Sequence, residues 1–74
     1  MGNQVQDVPI RDDSIRLGQF LKLADLIDSG SAAKELMIQG AVTVNGEVET
    51  RRGRQLVAGD VVALGSLRAR VTGA

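Results

Sequence analysis

Three arginines, Arg51, Arg52 and Arg54, fall within four residues and surround Gly53. Each guanidinium is a planar, permanently charged fork that takes an oxyanion on parallel N–H donors, so the cluster is chemistry for holding phosphate rather than for making bonds. Gly53 lets the backbone bend so that all three forks project into water. The rest of the chain offers little to a reaction. It contains no His, Cys, Tyr or Trp, which removes the usual general bases, thiol nucleophiles and thiolate metal ligands. The carboxylates fall where helix caps and turns are expected, and local hydrogen bonding accounts for them there. Neither Asp12-Asp13 nor Asp25-x-x-Asp28 has the spacing of a cation loop, and the glycines form no phosphate-loop fingerprint. The expectation is a protein that is not an enzyme, with no catalytic residue, no metal and no cofactor.

An arginine cluster needs a platform, and the residues before it supply one. Val42, Val44 and Val48 alternate with polar residues on either side of Asn45-Gly46. That dipeptide best tolerates the two positive φ angles of a type I′ turn, so a hairpin is expected, with strands near 41–44 and 47–50. Upstream, Leu17, Phe20, Leu21 and Ala24 recur at i, i+3, i+4, i+7, the stripe of an amphipathic helix. It is placed near 14–23, with Asp12, Asp13 and Ser14 as N-cap candidates. Gly18 inside it costs about 1 kcal/mol relative to Ala, which points to close packing. Asp28-Ser29-Gly30-Ser31 reads as a loop ending in an N-cap, followed by a second helix near 31–39 that buries Ala33, Leu36 and Met37 and closes at Gly40.

Beyond the basic loop the pattern is all β. A short strand is expected around 55–57 and a turn at Ala58-Gly59-Asp60. Strands over 61–64 and 67–71 then flank Gly65-Ser66, where the leading glycine favours a type II′ turn. Arg68 and Arg70 alternate with Ala69 and Val71, which places them on the exposed face of the last strand. The fold class is α+β: two short helices packed on a small, curved, mostly antiparallel sheet of four to five strands. Residues 1–10 are expected to be a flexible segment containing a short edge strand at 8–10, where proline is tolerated; residues 11–74 form one domain.

At 74 residues the chain buries only about 60% of its unfolded surface, so the core is small. It is also aliphatic, because Phe20 is the sole aromatic residue and lies on the core stripe. The aromatic platforms that stack unpaired bases are therefore missing, so a nucleic-acid partner would be recognised by backbone and shape. Nine basic and nine acidic residues cancel, but unevenly. Residues 1–30 carry three basic and five acidic residues, net −2; residues 31–50 carry one and three, net −2; residues 51–74 carry five and one, net +4. No apolar run approaches the ~20 residues of a membrane span, and the N-terminus lacks a signal peptide's basic and apolar regions. Gln6 stands where a myristoylation motif after Gly2 wants Ser or Thr. With no cysteine, a reducing cytoplasmic setting is expected.

From Arg16 to about Leu64 the chain resembles the alpha-L RNA-binding motif, the domain of ribosomal small-subunit protein four, and in particular its small standalone bacterial versions. The matching residues are Arg16-Leu17, Phe20-Leu21-Lys22, Ser29, Ala33-Lys34, Leu36-Met37-Ile38, Gln39-Gly40-Ala41-Val42, Val44-Asn45-Gly46 and Ala58-Gly59-Asp60-Val61-Val62, in order, with the T-R-R-G-R loop. The resemblance implies a helical pair and adjoining basic loop that grip structured RNA through Lys22, Ser29, Lys34, Arg51, Arg52 and Arg54. The chain departs from the family at Gly18, where many members carry Asp, and at Gly30 and Glu35, where basic residues are common.

Each of these residues also has a plainer reading. The arginines could form a solvated hairpin end paired with Glu47 or Glu49, Ser29 and Ser31 could be caps only, and Lys22 and Lys34 could be ordinary polar-face residues. The expected function is non-catalytic docking on structured RNA, ribosomal or transfer RNA, by a ribosome-associated monomer with no membrane or small-molecule partner. The alternative is a protein-interaction module that uses the acidic first helix and the apolar hairpin face, with RNA contact incidental.

Overall fold

The computed structural model of the chain describes residues 5–27 and 30–73. Its elements are β1 (Val5–Pro9), β2 (Ile15–Arg16), α1 (Leu17–Leu23), α2 (Gly30–Ile38), β3 (Val42–Val44), β4 (Glu47–Val48), β5 (Gln55–Leu56), β6 (Val61–Leu64) and β7 (Leu67–Thr72). Five strands form one sheet in the order β1-β7-β6-β3-β4, antiparallel except where β1 runs parallel to β7. The expected strand around 55–57 does not join it. β5 pairs instead with β2, with Ile15 opposite Leu56 and Arg16 opposite Gln55, as a separate two-stranded ribbon. This is the α+β architecture read from the sequence.

The hairpin forms as its turn residues dictate. Asn45 has φ 53° and Gly46 φ 88°, the left-handed pair of a type I′ turn. One part of the hairpin reading is corrected. A two-residue turn pairs Val44 with Glu47 and Thr43 with Val48, and directly paired residues share a face. Val48 therefore lies on the face opposite Val42 and Val44. It is 60% exposed, and the residue that turns inward is Glu49. The second strand is also shorter than the expected 47–50.

Asn45 ties this turn to another. Its Nδ2 donates to Asp60 Oδ1 at 3.0 Å, its Oδ1 accepts from the Val61 N–H at 3.0 Å, and the other Asp60 oxygen accepts from the Val57 N–H at 2.9 Å. The two turns are thus clasped side by side.

The first helix starts later than expected. β2 takes Ile15 and Arg16 into an extended pairing, so α1 begins at Leu17; Asp12, Asp13 and Ser14 precede the pairing and are not its caps, and the N-cap residue Arg16 makes no side-chain cap bond. Of the two cap candidates for the second helix, Ser29 lies outside the described residues, and Ser31 falls inside α2, which begins at Gly30 rather than at the expected 31. The C-termini of the two helices are built alike. Gly40, φ 75°, donates to Met37 O at 3.1 Å while Ala41 donates to Leu36 O at 3.0 Å; Asp25, φ 62°, donates to Lys22 O at 3.0 Å while Leu26 donates to Leu21 O at 2.9 Å. Both are Schellman closures, which need a left-handed residue at C′.

Val8, Val42, Val44, Val62, Ala69 and Val71 of the sheet pack into one core with Leu17, Phe20, Leu21 and Ala24 of the first helical segment, Ala33 and Met37 of α2, and Leu56 of the ribbon. Phe20 has no exposed surface, so no aromatic ring is left for stacking. The N-terminal strand is longer than the 8–10 segment expected. It begins at Val5 on the sheet edge, with Pro9 at its end and Val8 and Ile10 buried. Arg68 and Arg70 are exposed on β7, as their alternation indicated.

Asp25 carries a side chain where Gly40 has none, and it sets a negative charge at a helix C-terminus, where the dipole disfavours it. Asp25→Gly is therefore expected to stabilise the domain by up to about 1 kcal/mol, read as a higher urea midpoint. A lower midpoint would mean that the carboxylate makes a compensating contact.

Candidate functional site

The first N–H groups of a helix have no partner within it. In α1 they are capped from a distance: Leu17 donates to Arg54 O at 2.8 Å and Gly18 to Arg52 O at 3.0 Å. The arginine loop is thus the N-terminal cap of the first helix. Gly18 meets the loop backbone as its expected close packing requires, yet a Cβ there would stand 3.6 Å from both Arg52 Cβ and Arg52 O, an ordinary contact. The approach is close without demanding glycine.

Glu49 holds the loop from the other side. Its residue is 6% exposed, the one buried charged residue among those described. Oε2 accepts from the Arg51 Nε and from the Arg51 main-chain N–H, both at 3.1 Å, and Oε1 accepts from Arg54 Nη1 at 3.0 Å. The expectation of three forks projecting freely into water is corrected accordingly, since two of them share one carboxylate. The Arg51 guanidinium, its main-chain N–H and Arg54 together outweigh the desolvation of Glu49 and lower its carboxyl pKa from 4.5 to about 2.

Arg52 is the third. It is exposed, makes no ion pair among the described residues, and lines an open groove of about 530 Å³ with Arg16, Gly18, Gln19, Lys22, Ala33 and Gly53. Among the described residues, three cations border this groove and no carboxylate does. A larger furrow of about 730 Å³ on the other flank of α1 shares Gln19 and Lys22 with it and adds Arg11, but also Asp12. Among the described residues, no three His, Cys, Asp or Glu side chains gather as a metal site would require.

The structure thus brings Lys22 and Arg52 together in one groove. It holds Arg51 and Arg54 on Glu49, and it leaves Lys34 exposed on α2 outside the groove lining; Ser29 lies outside the described residues. Arg16 and Gln19 were not among the expected site residues. Their signal is the polar stripe Arg16, Gln19, Lys22 at i, i+3, i+6, the complement of the apolar stripe that places the helix.

A family model described as S4 domain matches residues 8–72, nearly the whole chain. The chain belongs to the S4 domain family. This is the family that the ordered motif from Arg16 to Leu64 resembles. This S4 domain is 51% identical over 57 residues to "Probable ribosome maturation protein RlbA" of Bacillus subtilis strain 168, covering 77% of this chain and 80% of that one. It is 41% identical over 49 residues to "Putative RNA-binding protein YbcJ" of Escherichia coli K12, covering 66% of this chain and 70% of that one. No helix among the described residues is long and apolar enough to cross a membrane.

A carboxyl with a lowered folded pKa gives stability that is complete above its unfolded pKa and is lost as pH falls through the folded one. For Glu49 that window runs from about pH 4.5 down to about pH 2. Glu49→Gln is expected to destabilise the domain at pH 7 by on the order of 1–2 kcal/mol, discounted because one arginine partner stands largely in water. The gap between the variant and the wild type should close between pH 4.5 and pH 2, measured as urea midpoints. A gap independent of pH would show that the ion pairs do not hold the loop.

Proposed function

We propose that this S4 domain is a non-catalytic, cytoplasmic RNA-binding protein that docks on structured RNA, with ribosomal RNA the favoured partner. The observation that carries the reading is the groove bordered by Arg16, Lys22 and Arg52, with no carboxylate among the described residues that line it. Cations gathered on a rigid floor release counterions from phosphates when they bind, and that term dominates sequence-independent affinity for nucleic acid. The names of the relatives, a ribosome maturation protein and an RNA-binding protein, support the same direction. With Phe20 buried, the groove reads backbone and shape rather than unstacked bases. Ser29 and Lys34 belong to this reading through the family resemblance, and the protein is read as a monomer working without a cofactor.

The protein-interaction alternative required an apolar hairpin face. Val42 and Val44 are fully buried in the core, which leaves only Val48 of that set on the surface.

Lys22 and Arg52 make no ion pairs among the described residues and can be replaced by Ser without disturbing the core. The double variant is expected to bind fractionated ribosomal RNA more weakly and to lose about two units from the slope of log affinity against log salt. Filter binding between low and near-physiological salt measures this. An unchanged slope would move the RNA to another surface, and no binding of the wild type to any cellular RNA fraction would end the reading.

A further inference from the structure

The two arginines on Glu49 are held by one carboxylate and differ in what they leave over. The Arg54 side chain is 32% exposed and offers Nη1 to Oε1, so it is largely enclosed within the fold. The Arg51 side chain is 78% exposed although both its Nε and its main-chain N–H are fixed on Oε2 at 3.1 Å. A guanidinium held through Nε keeps its two Nη groups, and among the described residues nothing in the protein accepts from them. Glu49 is itself fixed: its side chain is 8% exposed and its main-chain N–H donates to Val42 O at 3.0 Å across the hairpin. The carboxylate is thus a rigid anchor rooted in the sheet, and the fork it holds stands in solvent one residue before Arg52.

We propose that Glu49 is a positioning residue that grips Arg51 through Nε and presents its Nη groups as a preformed fork for one RNA phosphate beside the groove. The inference rests on the RNA-binding reading above and adds a contact outside the groove lining. Arginine suits position 51 because a planar guanidinium can offer Nε to an internal carboxylate and a fixed pair of Nη donors to a phosphate; a lysine ammonium has three donors but no rigid fork to take the phosphate bidentately. Holding the side chain in place before binding reduces the freedom lost on docking, which is how preorganisation raises affinity.

The test uses the full chain, a ribosomal RNA fraction and the wild type with Arg51→Ser, Arg51→Lys, Glu49→Gln and the Arg51→Ser/Glu49→Gln double variant, each checked for folding by circular dichroism. Arg51→Ser is expected to lose about one unit of salt slope, roughly a threefold to fourfold change in affinity between 50 and 200 mM salt. Arg51→Lys and Glu49→Gln keep the charge at position 51 and so most of the slope, but both should bind more weakly than the wild type at every salt concentration, and the double variant should show the slope of Arg51→Ser alone. Arg51→Lys leaves Glu49 in place and decides the matter if Glu49→Gln does not fold. Wild-type behaviour of Arg51→Lys would overturn the proposal. So would tighter binding and a steeper slope in Glu49→Gln, which would mean that the carboxylate withholds the arginine from RNA.

A measurement without RNA separates this inference from the reading beneath it. The Arg51 Nε–H should exchange slowly with solvent in nuclear magnetic resonance spectra of the free wild type, and quickly in Glu49→Gln. Fast exchange in the wild type removes the anchor whatever the RNA does. Failure of the wild type to bind RNA removes the ligand and sinks both readings, whereas wild-type binding with all Arg51 variants unchanged sinks the fork alone.

Discussion

One carboxylate between the hairpin and the first helix organises this surface. Glu49 accepts three hydrogen bonds from two arginines of the loop that follows it. Burying a charge is costly unless it is paired and hydrogen-bonded, and here both conditions are met by residues two and five positions further along the chain. Fixing Arg51 and Arg54 turns a loop of three like charges around a glycine into a shaped object. Only a shaped loop can present its carbonyls at 52 and 54 to the N–H groups of Gly18 and Leu17. The floor of the groove and the start of α1 both follow from that arrangement.

The second fixed point is the clasp of Asn45 and Asp60. Asn45 serves the hairpin twice, once by accepting a left-handed backbone and once by offering an amide that bonds both Asp60 and the Val61 N–H. Asp60 meanwhile closes its own turn against Val57. The V-N-G and A-G-D segments that carry so much of the family resemblance are therefore structural. They hold the ends of β3 and β6 in register, and the loop between them, residues 47–59, is closed at its base. The charge chemistry lives inside that closed loop, from Glu49 to Arg54.

How much of this was legible in the sequence depends on how local its cause is. The hairpin turn, the Gly40 closure and the apolar stripe of α1 depend on neighbouring residues and could be read directly. The start of α1 could not, because it is set by the pairing of Ile15 and Arg16 with a strand some forty residues away, and a distant loop supplies the cap that Asp12, Asp13 or Ser14 would otherwise provide. The position of Val48 was readable in principle: a two-residue turn pairs 44 with 47 and shifts the inward parity to 49. Hydrophobicity suggested otherwise, since nothing local marks a glutamate as the buried member of a hairpin. At the site, the stripe of Arg16, Gln19 and Lys22 was present in the spacing. Which arginine of the loop borders the groove was not, because that choice is made by where Glu49 points.

The distant cap of α1 has a consequence for motion. A helix of seven residues is too short to persist on its own, and its first N–H groups bond to the loop rather than to a nearby side chain. Loosening the loop uncaps the helix, and fraying the helix strips the loop of its donors. The two walls of the groove are therefore coupled through these two hydrogen bonds, and a fluctuation of one is expected to carry the other. A ligand lying across both walls would suppress their shared fluctuation and slow amide exchange at Gly18, which lines the groove, and at Leu17, which is buried and out of its reach.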